Sequence, residues 1–343
     1  MPDGGDGARS YRITLSGSGA TFTCRSDETL LRAGLAAGLA MPYECASGAC
    51  GSCKARLVDG HVTMRWPDAP GLSARDRARG NRILCCQSLP TGDCSINVRA
   101  EAGNSEPVPW PISAEVTEIA DLCDGVRRIV LNTETPVDFL AGQFVLLRLP
   151  GDSGDRAYSM ANAPTGANEL VFLIKAKPGG RATAYLFDRM AVGDGIDLEG
   201  PYGRGYLRED SERPPIAVAG GSGLAPMLSI VRRAVGLWPD RPVHLYFGVD
   251  TPAALFCLDE IAALAALFPR FHPMLAVRDG WPDACSLPVE TGLVGDVMRR
   301  GEPDLQGADL YLAGPGGMVD AVLAQTVRAN AIPADRVFFD RFL

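Results

Sequence analysis

Histidine is nearly absent from this chain: 343 residues contain three, His61, His244 and His272. They lie in unrelated contexts and none forms a triad, so no side chain is expected to be needed as nucleophile or general base. Long apolar runs are also missing. The longest, around Leu30 to Met41, is short and broken by glycine, which rules it out as a membrane span. The opening MPDGGDGARS is polar, acidic and Gly-rich, unlike a signal peptide. The cysteines form no disulfide framework, which fits a reducing interior. A soluble protein of the cytoplasm is expected, with no membrane partner. An overall excess of positive charge is lacking too: the net charge is −8. With no aromatics interleaved among its basic residues, the chain is not expected to bind nucleic acid.

Cysteine is what the chain does have, ten in all. Cys45, Cys50 and Cys53 in YECASGACGSCK read C-x4-C-x2-C, and Cys85-Cys86 follows in RILCCQSLP. A zinc ribbon would need a second C-x2-C or a His pair, and neither is present. The spacing resembles that of plant-type ferredoxins, whose four thiolates hold a [2Fe–2S] cluster. The small residues between the ligands let the loop wrap closely, with backbone N–H groups aimed at sulfur. Spacing alone leaves Cys85 and Cys86 open as the fourth ligand. Reductases of bacterial oxygenases read L-A-C-Q here, and that resemblance implies Cys86, with Cys85 in the Ala place. Cys24, Cys94, Cys123, Cys257 and Cys285 stand singly and read as core residues or free thiols.

Residues 9–99 are expected to form the cluster domain: a hairpin (Tyr11–Leu15, Thr21–Cys24), a helix capped by Asp27 and running through Leu39, and strands at 55–58, 61–64 and 96–98. That succession fits a β-grasp fold. AEAGNSEPVP, residues 100–109, reads as a linker. Short strands separated by turns over 110–208 predict an antiparallel β-barrel. From 209 to 343 the rhythm becomes strand, Gly-rich turn, helix, as in a Rossmann-like parallel sheet. The whole is a multidomain chain of α+β and α/β parts.

Arg156-Ala157-Tyr158-Ser159 resembles the R-x-Y-S signature of the ferredoxin–NAD(P)⁺ reductase superfamily. The resemblance implies that Arg156 meets the flavin pyrophosphate, Tyr158 stacks on the isoalloxazine and Ser159 lies by its N5. These residue types suit those tasks: a guanidinium fork binds phosphate bidentately and a flat phenol covers a flat ring. Gly179-Gly180-Arg181-Ala182-Thr183 resembles the family's phosphate turn, opening a helix near Ala184. Gly200-Pro201-Tyr202-Gly203 resembles its G-P-x-G. Gly220-Gly221-Ser222-Gly223-Leu224-Ala225-Pro226 resembles G-G-x-G-x-x-P, with glycines for close approach of dinucleotide phosphates and Pro226 in the first helical turn. Ala313-Gly314-Pro315 resembles C-G-P, but Ala313 replaces the usual Cys and Gly316 the second Pro. Asp250, after the second strand, would accept from a ribose 2′-OH and repel a 2′-phosphate, favouring NADH over NADPH. Among the C-terminal aromatics, Phe342 is a candidate cover for the flavin.

In the order cluster, flavin, nicotinamide, the chain resembles reductase components of bacterial multicomponent oxygenases. The insert Trp66–Arg77 is most like that of carbazole dioxygenase-type systems. The resemblance implies hydride from NADH to FAD, then single electrons through the cluster to a separate ferredoxin or a terminal, aromatic ring-hydroxylating oxygenase. A reductase serving a deoxysugar dehydratase, and a non-catalytic redox sensor, are the alternatives. A monomer or weak oligomer is expected. Charge is uneven: 12 Lys and Arg against 7 Asp and Glu over residues 9–100, but 21 against 32 over 101–343. The basic excess gathers in Arg65, Arg75, Arg77, Arg79 and Arg82. It reads either as a solvated face or as a dock for an acidic redox partner.

Overall fold

A computed structural model describes residues 8–103, 106–150, 155–282, 285–302 and 305–342. The first seven residues, and Asn104 and Ser105 of the expected linker, lie outside them. The chain divides into two compact units, Met1–Trp110 with Gly151–Ala157, and Pro111–Pro150 with Tyr158–Leu343.

In the first unit, β1 (Ser10–Leu15) and β2 (Thr21–Arg25) form an antiparallel pair that buries Ile13, Leu15, Phe22 and Cys24. The helix α1 (Leu30–Ala36) is capped by Thr29, whose hydroxyl accepts from the Arg32 N–H at 3.3 Å. This corrects the expectation for Asp27, which sits too early and pairs with Arg25 at 2.9 Å instead. Gly38, at φ +76°, stops the helix before Leu39. There follow β3 (Leu39–Ala40), β4 (Lys54–Asp59), β5 (Val62–Met64), α2 (Ala74–Ala78), β6 (Arg82–Leu84), β7 (Ser88–Pro90), β8 (Cys94–Asn97) and β9 (Glu101–Ala102). The main sheet has the order β2-β1-β8-β4-β6, with β1 and β8 parallel at its centre, a β-grasp arrangement. Ribbons β5–β7 and β3–β9 flank it.

The barrel strands are β10 (Trp110–Cys123), β11 (Val126–Thr133), β12 (Phe144–Arg148), β13 (Arg156–Ser159), β14 (Glu169–Lys175) and β15 (Gly195–Tyr202), in the order β13-β12-β15-β10-β11-β14. A bridge from Met160 to Phe172, with Ala161 N–H donating to Val171 O at 2.7 Å, joins the two edges and closes the barrel. The helix α3 (Arg181–Asp188) lies between β14 and β15.

The C-terminal sheet is parallel throughout: β16 (Pro215–Gly220), β17 (Val243–Val249), β18 (Phe271–Val277), β19 (Val289–Thr291), β20 (Asp309–Pro315) and β21 (Val337–Phe342). Its helices are α4 (Leu224–Leu237), α5 (Leu258–Leu267), α6 (Val294–Gly301) and α7 (Gly316–Gln325). All six residues of β16 are buried, as befits a strand covered on both faces. On one face Met227, Leu228 and Val231 of α4 share a core with Val130, Val171 and Leu173 of the barrel, which makes barrel and sheet one unit. The sheet order is β19-β18-β17-β16-β20-β21, so the winding reverses between β16 and β20. A crevice at such a reversal, beyond the C-terminal strand ends, is where doubly wound sheets bind ligands.

Candidate functional site

The thiols are brought together by strand pairing. Cys53 immediately precedes β4 and Cys86 follows β6 by two residues. Lys54 stands opposite Leu84, so the two sulfurs meet at 3.2 Å. Cys45 and Cys50 form a second pair, with the Cys50 N–H donating to Cys45 Sγ at 3.3 Å and the Ser52 N–H to Cys50 Sγ at 3.4 Å. The loop turns its amides inward because Ala46, Gly48 and Gly51 adopt φ of +50°, +89° and +81°. The insert then closes over it: a Cβ on Gly71 would fall 2.7 Å from Gly48 O.

In each pair the hydrogen bond between partners holds one thiol, Cys50 or Cys53, below the usual thiol range, and the same bond pushes Cys45 and Cys86 up. Among the described residues, no three His, Cys, Asp or Glu side chains are set around a single metal ion. Two thiol pairs, two sulfurs per iron, fit a dinuclear cluster instead. Gln87 Oε1, buried and unpartnered beside Cys86, marks a polar spot at its edge. Cys85 is fully buried and its amide donates to Cys53 O at 3.1 Å, while burial pushes its thiol far up.

β13 carries Arg156 and Tyr158 on one face and Ser159 on the other, by strand alternation. Ser159 is buried and Tyr158 half-buried. In the first unit the Arg156 guanidinium lies over Trp66, 5.0 Å from the ring centre. The helix α3 starts at Arg181, three residues before the expected Ala184, because Gly180 is its N-cap. The Thr183 hydroxyl lies 3.1 Å from Gly180 O and 3.2 Å from both Lys177 O and Lys177 N, so it shapes the turn. The amides of Arg181 and Ala182 are the phosphate donors this helix end can offer. Tyr202 is buried, with its hydroxyl donating to Glu199 at 2.6 Å.

At the crevice, Ala219 pairs with Ala313, so the Gly220–Gly223 turn and the Gly314-Pro315 end stand side by side. The glycines are required: a Cβ on Gly223 would sit 2.0 Å from Ala313 O, and one on Gly220 2.5 Å from Met318 Sδ. Gly221 and Gly314 have φ of +54° and +148°. Ser222 lies in this turn, and Pro226 sits in the first turn of α4. Ala313 is wholly buried. Asp250, exposed just after β17, forms an ion pair with Arg278 at 2.8 Å. Phe342 aligns with Pro315 at the crevice edge, whereas Phe338 stacks on Tyr311 and Phe339 packs on the opposite face.

Sequence reasoning missed a tie between these elements. Ser229 of α4, fully buried, donates to Asn162 O at 2.7 Å, and Arg232 donates to Ala161 O at 2.6 Å. Arg232 also pairs with Glu260 of α5, which holds Arg128 of β11 at 2.8 Å. Thus the helix that opens with the Gly-rich turn is fixed to the segment just after Tyr158-Ser159. A polar Ser inside an apolar helix was the only signal.

Paired thiols on a β-grasp unit, an R-x-Y-S barrel strand and a Gly-lined crevice in a parallel sheet together define an iron–sulfur flavoprotein that uses a pyridine nucleotide. Residues 13–91 match the 2Fe-2S iron-sulfur cluster binding domain, 113–206 the oxidoreductase FAD-binding domain and 217–324 the oxidoreductase NAD-binding domain. The ferredoxin–NAD(+) reductase component of an alkene monooxygenase system from Xanthobacter autotrophicus is 57% identical over 95% of this chain and 98% of its own. A ferredoxin–NAD(P)(+) reductase of Metapseudomonas resinovorans is 36% identical over 97% and 99%. The solved ferredoxin reductase in carbazole 1,9a-dioxygenase superposes with a TM-score of 0.85 at 33% identity, covering 98% of this chain and 99% of that one. The chain belongs to the ferredoxin–NAD(P)⁺ reductase components of multicomponent oxygenase systems. It is an oxidoreductase with [2Fe–2S], FAD and NAD domains. Among the described residues no helix is long and apolar enough to cross a membrane.

Proposed function

We propose that this protein takes electron pairs from NADH and passes them singly to a ferredoxin or directly to the oxygenase of an alkene-type monooxygenase system. The observation that carries this is the succession on one chain of thiol pairs, R-x-Y-S strand and Gly-lined crevice. When bound, FAD accepts hydride and returns single electrons, and the cluster carries them one at a time. Cys45 and Cys50 would hold one iron, Cys53 and Cys86 the other. The amides of Arg181 and Ala182 would bind the flavin pyrophosphate, a task the family resemblance also gives Arg156. Tyr158 would cover the flavin ring and Ser159 would offer it a hydroxyl, the roles the family resemblance gives them. Gly220, Gly221, Gly223 and Gly314 let the dinucleotide reach the backbone, and Phe342 lies at the edge of that crevice. Asp250 selects the unphosphorylated ribose. Identity of 57% to the alkene monooxygenase component, against 36% to the second reductase, favours the alkene system.

Stopped-flow reduction by NADH tests this reading. Tyr158→Ala with Ser159→Ala is expected to slow flavin reduction by at least about tenfold, about 1.4 kcal/mol in the barrier. An unchanged rate would overturn the assignment. Reconstitution with an alkene monooxygenase is expected to give NADH-dependent alkene oxidation; activity with an aromatic dioxygenase alone would refute the choice of system.

A further inference from the structure

We infer that the β4–β6 edge and α2 form a docking surface for an acidic redox protein that receives electrons from the cluster. The inference rests on the reading above and adds where, and by what chemistry, the acceptor binds.

Lys54 and Arg56 flank the buried Ala55 on one face of β4, and Arg82 stands directly opposite Arg56 on β6, the edge strand. On α2 and its C-cap, Arg75 and Arg79 are exposed and one helical turn apart. Both juxtapositions set like charge beside like charge, which weakens a strand pair and a helix alike. Among the described residues Arg56, Arg75, Arg79 and Arg82 make no ion pair that would offset this. The acid within the patch, Asp76, is held by Lys54 at 2.6 Å and by Ser73 at 2.7 Å. That contact anchors α2 to β4, while Arg77 donates to Ala69 O at 3.0 Å and fixes the insert.

The patch begins at the cluster. Cys53 is the residue before Lys54, and Cys86 lies two residues beyond Leu84, the partner of Lys54. An uncompensated cationic face built on the strands that adjoin two ligands attracts a carboxylate-rich partner and orients it toward the electron's exit. Charges on an edge strand also deter sheet-to-sheet pairing, and the experiment separates the two roles.

The probes are an acidic plant-type [2Fe–2S] ferredoxin and a basic c-type cytochrome, with a neutral quinone as control. Calorimetry on the holoprotein gives binding, and NADH-driven reduction gives electron transfer. The variant combines Arg56→Glu with Arg75→Glu. Each reversal gains an opposite-charge neighbour, Arg82 or Arg79, so folding is not strained, and the cluster spectrum confirms it. Wild type is expected to bind the acidic ferredoxin with a Kd that rises steeply with salt. In the variant that affinity falls at least about tenfold and preference shifts to the cytochrome, while quinone reduction is unchanged. Unchanged ferredoxin affinity in the variant overturns the proposal, whether or not the variant self-associates. So does a wild-type preference for the cytochrome. Failure of the redox reading itself would show differently, as loss of NADH-dependent quinone reduction in wild type.

Discussion

Cys85 and Cys86 are neighbours for which opposite tasks are proposed. Cys86 completes a sulfur pair with Cys53 at 3.2 Å, whereas Cys85 is core filling with no exposure to solvent. Replacing Cys85 by Ala removes one buried sulfur, a loss of about 1 kcal/mol in stability, and leaves the cluster in place. Replacing Cys86 by Ala is expected to abolish the cluster, and iron and sulfide content distinguishes the two. Asp250 is the residue proposed to set the choice of nucleotide. Its carboxylate engages Arg278 at 2.8 Å, so Asp250→Ser removes an anion and opens one side of a guanidinium that Asp279 still holds at 2.8 Å to a 2′-phosphate. The ratio of kcat/KM for NADPH to that for NADH is expected to rise about tenfold, about 1.4 kcal/mol. A ratio that stays fixed would place the ribose elsewhere.

At the scale of elements, what could be read from sequence followed burial. β16, β17, β18 and β20 announce themselves as apolar runs because both faces of the sheet are covered. β13 and β21 do not, since Arg156, Asp340 and Arg341 interrupt the pattern at functional or half-exposed edges. Asp27 and Thr29 are both good caps for α1 by type, and the geometry of the turn selects Thr29. The tie from α4 to the flavin strand is a tertiary contact and left almost no local trace. Ser229→Ala deletes its buried hydrogen bond to Asn162 O and is expected to cost about 1–3 kcal/mol in denaturant unfolding.

A second cluster predicts pH behaviour. His244 of β17 meets Glu302 at 2.5 Å and lies beside His272 of β18, and Tyr246 donates to the same carboxylate at 2.9 Å. Burial alone would raise Glu302, but the bonds from His244 and Tyr246 outweigh it and hold it below 4.5. Burial, then the neighbouring His244, holds His272 below 6.5. Both groups therefore take up protons less readily folded than unfolded. Stability falls as pH drops below about 6.5, through His272, and again below about 4.5, through Glu302. His272→Gln is expected to flatten the first limb of unfolding midpoint against pH and to spare the second.

For the whole molecule, the uneven charge becomes meaningful once the cluster is placed. The net negative charge belongs to the flavin and nucleotide part, and the basic excess belongs to the part that carries the thiols. Three cofactor motifs in order were legible because each depends on short segments whose chemistry is local: ligand spacing, a phosphate turn, a glycine crevice. The pairing of sulfurs two and two was not legible, because β4–β6 register brings together residues 33 positions apart. The central claim is that one chain carries electrons from NADH through flavin to these thiols. Anaerobic addition of NADH to the holoprotein, followed by visible absorbance and EPR, tests it most directly. Bleaching of flavin and cluster bands is expected, together with the EPR signal of a reduced [2Fe–2S] centre. Flavin bleaching with a cluster that stays oxidised, or no response to NADH at all, would contradict it.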